Sequence, residues 1–174
     1  MRPLVILGSA RADGETRRAM DIAFPAGSAD LLVLPDFIIG GYDYQHRNTA
    51  DAFSSIAEAM TSVDKIVFTT PVYWYAMSAP LKFFFDRLTD LTENLKSQGK
   101  ALAGREVWMI ATGTEHALPE GFEVPFRRTF EYFAMTYCGA AYLYTGTDEK
   151  TARVDRRNTR RVRQKRYRRP LNTR

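Results

Sequence analysis

One cysteine, Cys138, and two histidines, His46 and His116, are all that the sequence offers toward disulfide or soft-metal chemistry. A lone thiol closes no internal disulfide and builds no thiolate cluster, so Cys138 reads as a small buried apolar residue. The histidines fall in different loops and share no ligand spacing with it, which speaks against a joint metal site. Long apolar runs are missing too: none approaches the ~20 residues of a membrane span. Nor does the N-terminus show the charged, apolar and small-residue succession of a secretory signal, so a soluble, cytoplasmic protein is expected. Most of the chain also lacks an excess of positive charge. Residues 153–174 hold 11 of the 25 lysines and arginines with Asp155 as their only acid, which leaves a body of net −5 inside a chain of net +5. With 174 residues, one domain is expected.

What is present alternates. The runs "PLVIL" (3–7), "LLVL" (31–34), "KIVFTT" (65–70), "VWMIAT" (107–112) and "AAYLYT" (140–145) are short, apolar and bounded by turn residues, as buried strands are. Helical patterns lie between them. "TADAFSSIAEAM" offers Thr49 as N-cap and places Ala52, Phe53, Ile56, Ala59 and Met60 on one face; "SAPLKFFFDRLTDL" starts at Ser78 with Pro80 in its first turn. "VPFRRTFEYFAMTYCG" sets Phe126, Phe130, Phe133 and Tyr137 on a stripe, with Gly139 as the expected C-cap. Strand and helix in alternation predict an α/β fold with a parallel sheet, in which loops at the carboxyl ends of the strands form the ligand crevice.

The first such loop, "GSARADGET" (8–16), is poor in bulky side chains and leads into a helix at about Glu15. Free N–H groups at a helix start, the hydroxyls of Ser9 and Thr16 and the Arg11 guanidinium suit a phosphate, and Gly8 and Gly14 let the backbone come close. It ends in neither Gly-Lys-Ser/Thr nor G-x-G-x-x-G, so it is no P-loop and no dinucleotide fingerprint. Taken alone it reads equally as a phosphate site or a connector. The third loop adds "TTPVYWYAMSAPLKFFFDR" (69–87), where Pro71, Tyr73, Trp74 and Tyr75 leave the sheet edge; aromatics in a loop are costly unless something flat covers them. Tyr75 reads equally as a ligand contact or as a plug in the sheet top or a subunit interface.

"GSARADGETRRA", "TPVYWYAMSAPLKFFFDR" and "ATGTE" together resemble the NADPH-dependent FMN reductase family over roughly residues 3–146. The resemblance implies a flavodoxin-like three-layer sandwich with a five-stranded parallel sheet in order 2-1-3-4-5. It also implies bound FMN, with NADPH or NADH as co-substrate. Carried over to matching positions, Ser9, Arg11, Gly14, the N–H of Glu15 and Thr16 hold the phosphate. Pro71, Val72, Tyr73 and Trp74 line the isoalloxazine, and Thr112 and Gly113 meet its pyrimidine side. Family members often carry Asn where this chain has Glu15, whose carboxylate is expected to point away from a phosphate. No catalytic side chain is implied, because hydride passes from nicotinamide to flavin N5 directly.

The implied activity is an FMN-dependent NAD(P)H oxidoreductase that passes electrons to a quinone, azo compound, flavin or metal oxyanion. An electron-carrying flavodoxin without a nicotinamide site is the alternative, disfavoured by a body only mildly acidic, and a flavin-free regulatory or nucleic-acid-binding module ranks last. His116 is placed to reach the open flavin face, although a solvated loop histidine is the stronger reading. Lys82, Asp86 and Arg87 share one helix and read as ion-pairing or capping groups. Three consecutive phenylalanines, Phe83 to Phe85, cannot all face one core, so at least one is expected under another subunit of a homodimer or homotetramer. Residues 1–147 form the expected FMN-binding domain. Residues 148–174 are a basic tail without the apolar stripe of a final helix; a solvated extension or out-of-frame sequence is favoured over a nucleic-acid-binding arm.

Overall fold

A computed structural model describes residues 1–146. The basic tail, and with it the expectation for the last helix, lies outside the described residues. Five parallel strands, β1 (Leu4–Leu7), β2 (Asp30–Val33), β3 (Lys65–Pro71), β4 (Glu106–Gly113) and β5 (Thr136–Tyr144), form one sheet in the order β2-β1-β3-β4-β5, as the resemblance implies. The central strands are buried on both faces, which is why "LVIL" and "IVFTTP" read as continuous apolar or small runs rather than alternating ones.

Helix α1 (Glu15–Ala23) packs Ala19, Met20 and Ala23 against Val5, Val67 and Ile110 on one sheet face. The opposite face carries α2 (Phe53–Thr61), α3 (Ala79–Arg87) and α5 (Val124–Tyr132), while the short α4 (Lys96–Ala101) packs on α2 and on a 3₁₀ turn at Leu88–Thr92. Phenylalanines fill this larger core: Phe68 of β3 stacks on Phe130 at 5.3 Å and meets Phe85 edge-on at 5.4 Å. Each such ring removed from water contributes about 1.5–3 kcal/mol, so the crevice above stands on a stiff floor.

Several boundaries differ from the sequence reading. α2 starts at Phe53 rather than after Thr49, because the Asp51 carboxylate accepts the Phe53 N–H at 3.1 Å. Ser78 does cap α3, its hydroxyl accepting from Leu81 N–H at 3.4 Å with Pro80 in the first turn. α5 stops at Tyr132. Ala134 turns left-handed (φ 53°), and Ala134 and Met135 N–H bond back to the Glu131 and Phe130 carbonyls at 3.0 and 2.9 Å, a Schellman closure with alanine where glycine is usual. Tyr137 and Gly139 therefore belong to β5, and Gly139 (φ 116°) relieves a bulge opposite Val107–Met109 instead of capping a helix. Cys138 sits in the same bulge and is half-buried, not fully buried. Of the three phenylalanines, Phe84 and Phe85 enter the core and Phe83 stays 53% exposed.

Candidate functional site

At the carboxyl edge of the sheet three loops converge. The first leaves β1 at Gly8, whose N–H donates to the Thr69 carbonyl at 2.8 Å and whose own carbonyl accepts the Ser78 hydroxyl. A side chain at Gly8 would put its Cβ 2.7 Å from the Leu81 Cβ, so only glycine lets α3 press against this loop. The loop is thus bolted to the start of α3 before it reaches α1.

The start of α1 fits an anion. Gly14 is the N-cap and no side chain caps the helix; Arg18 N–H, bonded to the Gly14 carbonyl at 3.1 Å, is the first to be satisfied within it. The N–H groups of residues 15–17 are left as donors at the positive end of the helix dipole. Ser9 is buried and its Oγ accepts from Arg11 N–H at 3.3 Å. The Arg11 guanidinium lies over Gly14: a Cβ there would be 3.4 Å from both Nε and Nη2. Glu15 leans along the helix toward Arg18, 3.5 Å away, and leaves the helix start to the donors. This donor set suits a phosphate monoester.

Thr16, the second residue of α1, links the loops. Its Oγ1 lies 2.8 Å from Thr112 Oγ1 at the end of β4, and both side chains are buried. Thr112 in turn takes the Val72 N–H on its carbonyl at 2.7 Å, next to Pro71, its register partner on β3. The third loop then folds into a tight turn in which Tyr73 N–H and Ala76 N–H each bond the other's carbonyl, at 2.9 and 3.0 Å. Trp74 (φ 49°) and Tyr75 (φ 62°) fill its two central positions, both left-handed. Such turns take Asn-Gly for steric reasons, and a bulky side chain in this region costs roughly 1–2 kcal/mol per residue. Neither ring recovers that cost by burial: Trp74 is 94% and Tyr75 67% exposed.

Those rings border an open cavity of about 200 Å³ lined by Val72, Trp74, Tyr75, Gly113, Thr114, Glu115 and Tyr142. Of the residues singled out from sequence, it gathers Val72, Trp74, Tyr75 and Gly113. Tyr73 is exposed beside it and Pro71 is buried at the end of β3. Ser9, Arg11, Gly14, Glu15, Thr16 and Thr112 form the separate α1 cluster, joined to the cavity through the threonine pair. Tyr142 was not legible as a site residue. Its hydroxyl donates to the Glu115 carbonyl at 2.8 Å, and a Cβ on Gly113 would stand 2.7 Å from that oxygen. His116 stacks on Tyr144 at 5.0 Å.

Other polar groups belong to the scaffold. Arg87 is buried and pairs with Asp51 and with Asp90, the latter at 2.7 Å; it also donates to the carbonyls of Gly40 and Asn48 and lies over the Phe53 ring. His46 bridges Asp90 and Glu93 at 3.3 and 2.9 Å. Lys82 pairs with Asp86. Burial pushes Tyr137 up from the ordinary phenol range, and its hydrogen bond to Glu123 (2.6 Å) adds to the shift. No group of three potential metal ligands occurs among the described residues, and none of their helices is long and apolar enough to cross a membrane.

The family described as NADPH-dependent FMN reductase matches residues 1–150. A Bacillus subtilis protein, YwqN, with the provisional name NAD(P)H-dependent FMN-containing oxidoreductase, is 26% identical over 149 residues, covering 80% of this chain and 82% of that protein. Among solved structures, the Trp repressor binding protein from Bacillus subtilis superposes with a TM-score of 0.75 at 22% identity, covering 95% of this chain and 99% of the other. An FMN-dependent NADH-azoreductase from Bacillus anthracis str. Ames Ancestor, solved with FMN, gives 0.71 at 10% identity over 94% and 98% of the two chains. The matched family uses FMN and NAD(P)H. This chain, with its flavodoxin-like sheet order, belongs to the NADPH-dependent FMN reductase family and is an FMN-dependent NAD(P)H oxidoreductase.

Proposed function

We propose that FMN lies across the carboxyl ends of β1, β3 and β4. In this reading Ser9, the Arg11 guanidinium, the N–H groups beyond Gly14 at Glu15 and Thr16, and the Thr16 hydroxyl hold its phosphate. Pro71, Val72, Tyr73 and Trp74 line the ring, and Thr112 and Gly113 meet its pyrimidine edge. The observation that carries the assignment is the buried Thr16–Thr112 contact at 2.8 Å, which sets the uncapped helix start and the aromatic-lined cavity side by side. Tyr142 supports the same edge by pinning the 113–115 turn through the Glu115 carbonyl.

Bound FMN supplies the redox chemistry, two electrons at a time between NAD(P)H and an acceptor. The chain's own part is positional. Arg11 and the α1 dipole neutralise the phosphate, Trp74 and Tyr75 flank the ring, and Val72 keeps water from one wall of the slot. Donor and acceptor would take turns at one open face, the acceptor being a small oxidant such as a quinone, azo compound, free flavin or metal oxyanion. Arg47, Arg127 and Arg128 already hold acids, Arg47 on Asp43 at 2.6 Å and the other two on Glu131, so a 2′-phosphate gains little from them.

A homodimer or homotetramer fits the exposed apolar side chains Phe83, Ile38 (87% exposed) and Tyr44 (87%), with Phe83 packed beside Gly41. The reading places the protein in the cytoplasm without a membrane partner. Residues 1–147 form the FMN domain and residues 148–174 a basic appendage for which a nucleic-acid role is disfavoured. Equilibrium FMN binding tests the site. Arg11→Ala should weaken FMN about tenfold, the lower end for a charged hydrogen-bonding group given its exposure, while Arg18→Ala on the same helix should not. Equal affinities for the wild type and both variants would move the phosphate elsewhere.

A further inference from the structure

A second open cavity, about 410 Å³ against 200 Å³ for the first, shares no lining residue with the crevice above the sheet. It lies where α4 and the Leu88–Thr92 turn meet the closing turn of α5, at the amino-terminal end of β5, and its volume is that of a small-molecule site. Its walls differ in chemistry. Tyr132 and Phe133 form one, their rings edge-to-face at 5.3 Å, with Tyr132 72% exposed. The rim opposite carries Lys96 and Lys100, one helical turn apart on α4.

Both ammonium groups are exposed, and among the described residues neither makes an ion pair or a side-chain hydrogen bond. The acids on either side of α4 in sequence and the one beside Tyr132 are already engaged: Asp90 with Arg87, Glu93 with His46, Glu106 with Lys65, and Glu131 with Arg127 and Arg128. Two like charges at this spacing repel, and an anion between them relieves the repulsion. The walls are also set in advance. A side chain at Gly99 would collide with the Leu91 carbonyl, so α4 sits hard against the turn, and the Ala134 carbonyl is held by Gly104 N–H at 2.8 Å.

We propose that this cavity binds a small aromatic carboxylate, its ring against Tyr132 and Phe133 and its carboxylate between Lys96 and Lys100. An apolar floor argues against a bare phosphate, and paired cations argue against a neutral ring. The test titrates ¹⁵N-labelled, FMN-loaded full-length protein with 2-naphthoate and with neutral 2-naphthamide; FMN serves only to occupy the first crevice. Naphthoate should shift the amide signals of Gly99, Lys100, Phe133 and Ala134 saturably and leave Gly8, Gly14 and Gly113 in place. The double variant Lys96→Gln/Lys100→Gln, altered only at exposed positions, should bind it roughly fivefold more weakly, as expected of two solvent-exposed ion pairs, and naphthamide should match that loss. The proposal is overturned by shifts confined to the flavin loops, by no saturable shift, or by equal binding of naphthamide. Signals at these positions that move with protein concentration alone would assign the face to a second copy and overturn it likewise.

Discussion

Replacing Trp74 and Tyr75 by Asn and Gly should make the protein more stable and worse at holding FMN. Both residues sit left-handed in a two-residue turn, at φ 49° and 62°, where Asn-Gly is the unstrained choice. Relief of strain is worth roughly 1–2 kcal/mol at Tyr75→Gly, less about 0.5–1 kcal/mol for the greater freedom glycine gives the unfolded chain. Trp74→Asn adds a smaller gain, since asparagine tolerates the region better than a bulky ring does. Little burial is lost, because the two rings are 94% and 67% exposed. The sum is about 1 kcal/mol, or roughly 2–4 °C in Tm for a domain of this size. FMN affinity should fall at least about fivefold, since each aromatic contact with a flat ring is worth about 0.5–1.5 kcal/mol beyond its area. Thermal unfolding of the FMN-free protein and fluorescence titration with FMN read the two effects separately. A lower Tm would refute the strain argument, and unchanged affinity would refute the placement of the ring.

Two further outcomes follow from the buried network. Arg87→Met should destabilise by about 3–5 kcal/mol, because it leaves Asp51 and Asp90 in the interior without their cation; urea unfolding measures it, and a loss under about 1 kcal/mol would contradict the role given to Arg87. Burial alone would raise the Asp51 carboxyl, but the Arg87 hydrogen bond and the N–H groups of Gly40 and Phe53 outweigh it and hold the group below its ordinary value. The folded form therefore binds its proton less readily than the unfolded one. The resulting stability is complete above about pH 5 and is lost as pH falls below the usual carboxylate range near ~4. Asp51→Asn should flatten that acid limb of the stability profile.

Much of the fold was legible because it rests on local signals. Continuous apolar runs marked the buried strands, Ser78 and Pro80 marked α3, and the small residues of the first loop marked the turn into α1 at Glu15. What escaped the sequence depends on tertiary context. Gly139 needs its left-handed φ for a bulge rather than a cap, and a glycine looks the same in either place. Ala134 closes α5 without glycine because Met135 and Phe130 are both buried in the core beneath it. Arg87 reads as an ion-pairing group on "FFFDR", but its burial is set by the loop after β2, which wraps it with carbonyls and Asp51. Tyr142 looks like any aromatic of an edge strand, and only the pairing of β5 with β4 brings its hydroxyl to Glu115. The strain at Trp74 and Tyr75 was hidden because two aromatics are among the last residues that turn chemistry would place there.

The most direct test of the central claim is an anaerobic absorbance titration of FMN-incubated, desalted protein with NADH and then NADPH. Flavin absorbance should be retained, bleach with one of the two donors and return on adding a quinone. Flavin that is retained but stays oxidised with both donors, or that is lost on desalting, would contradict that claim.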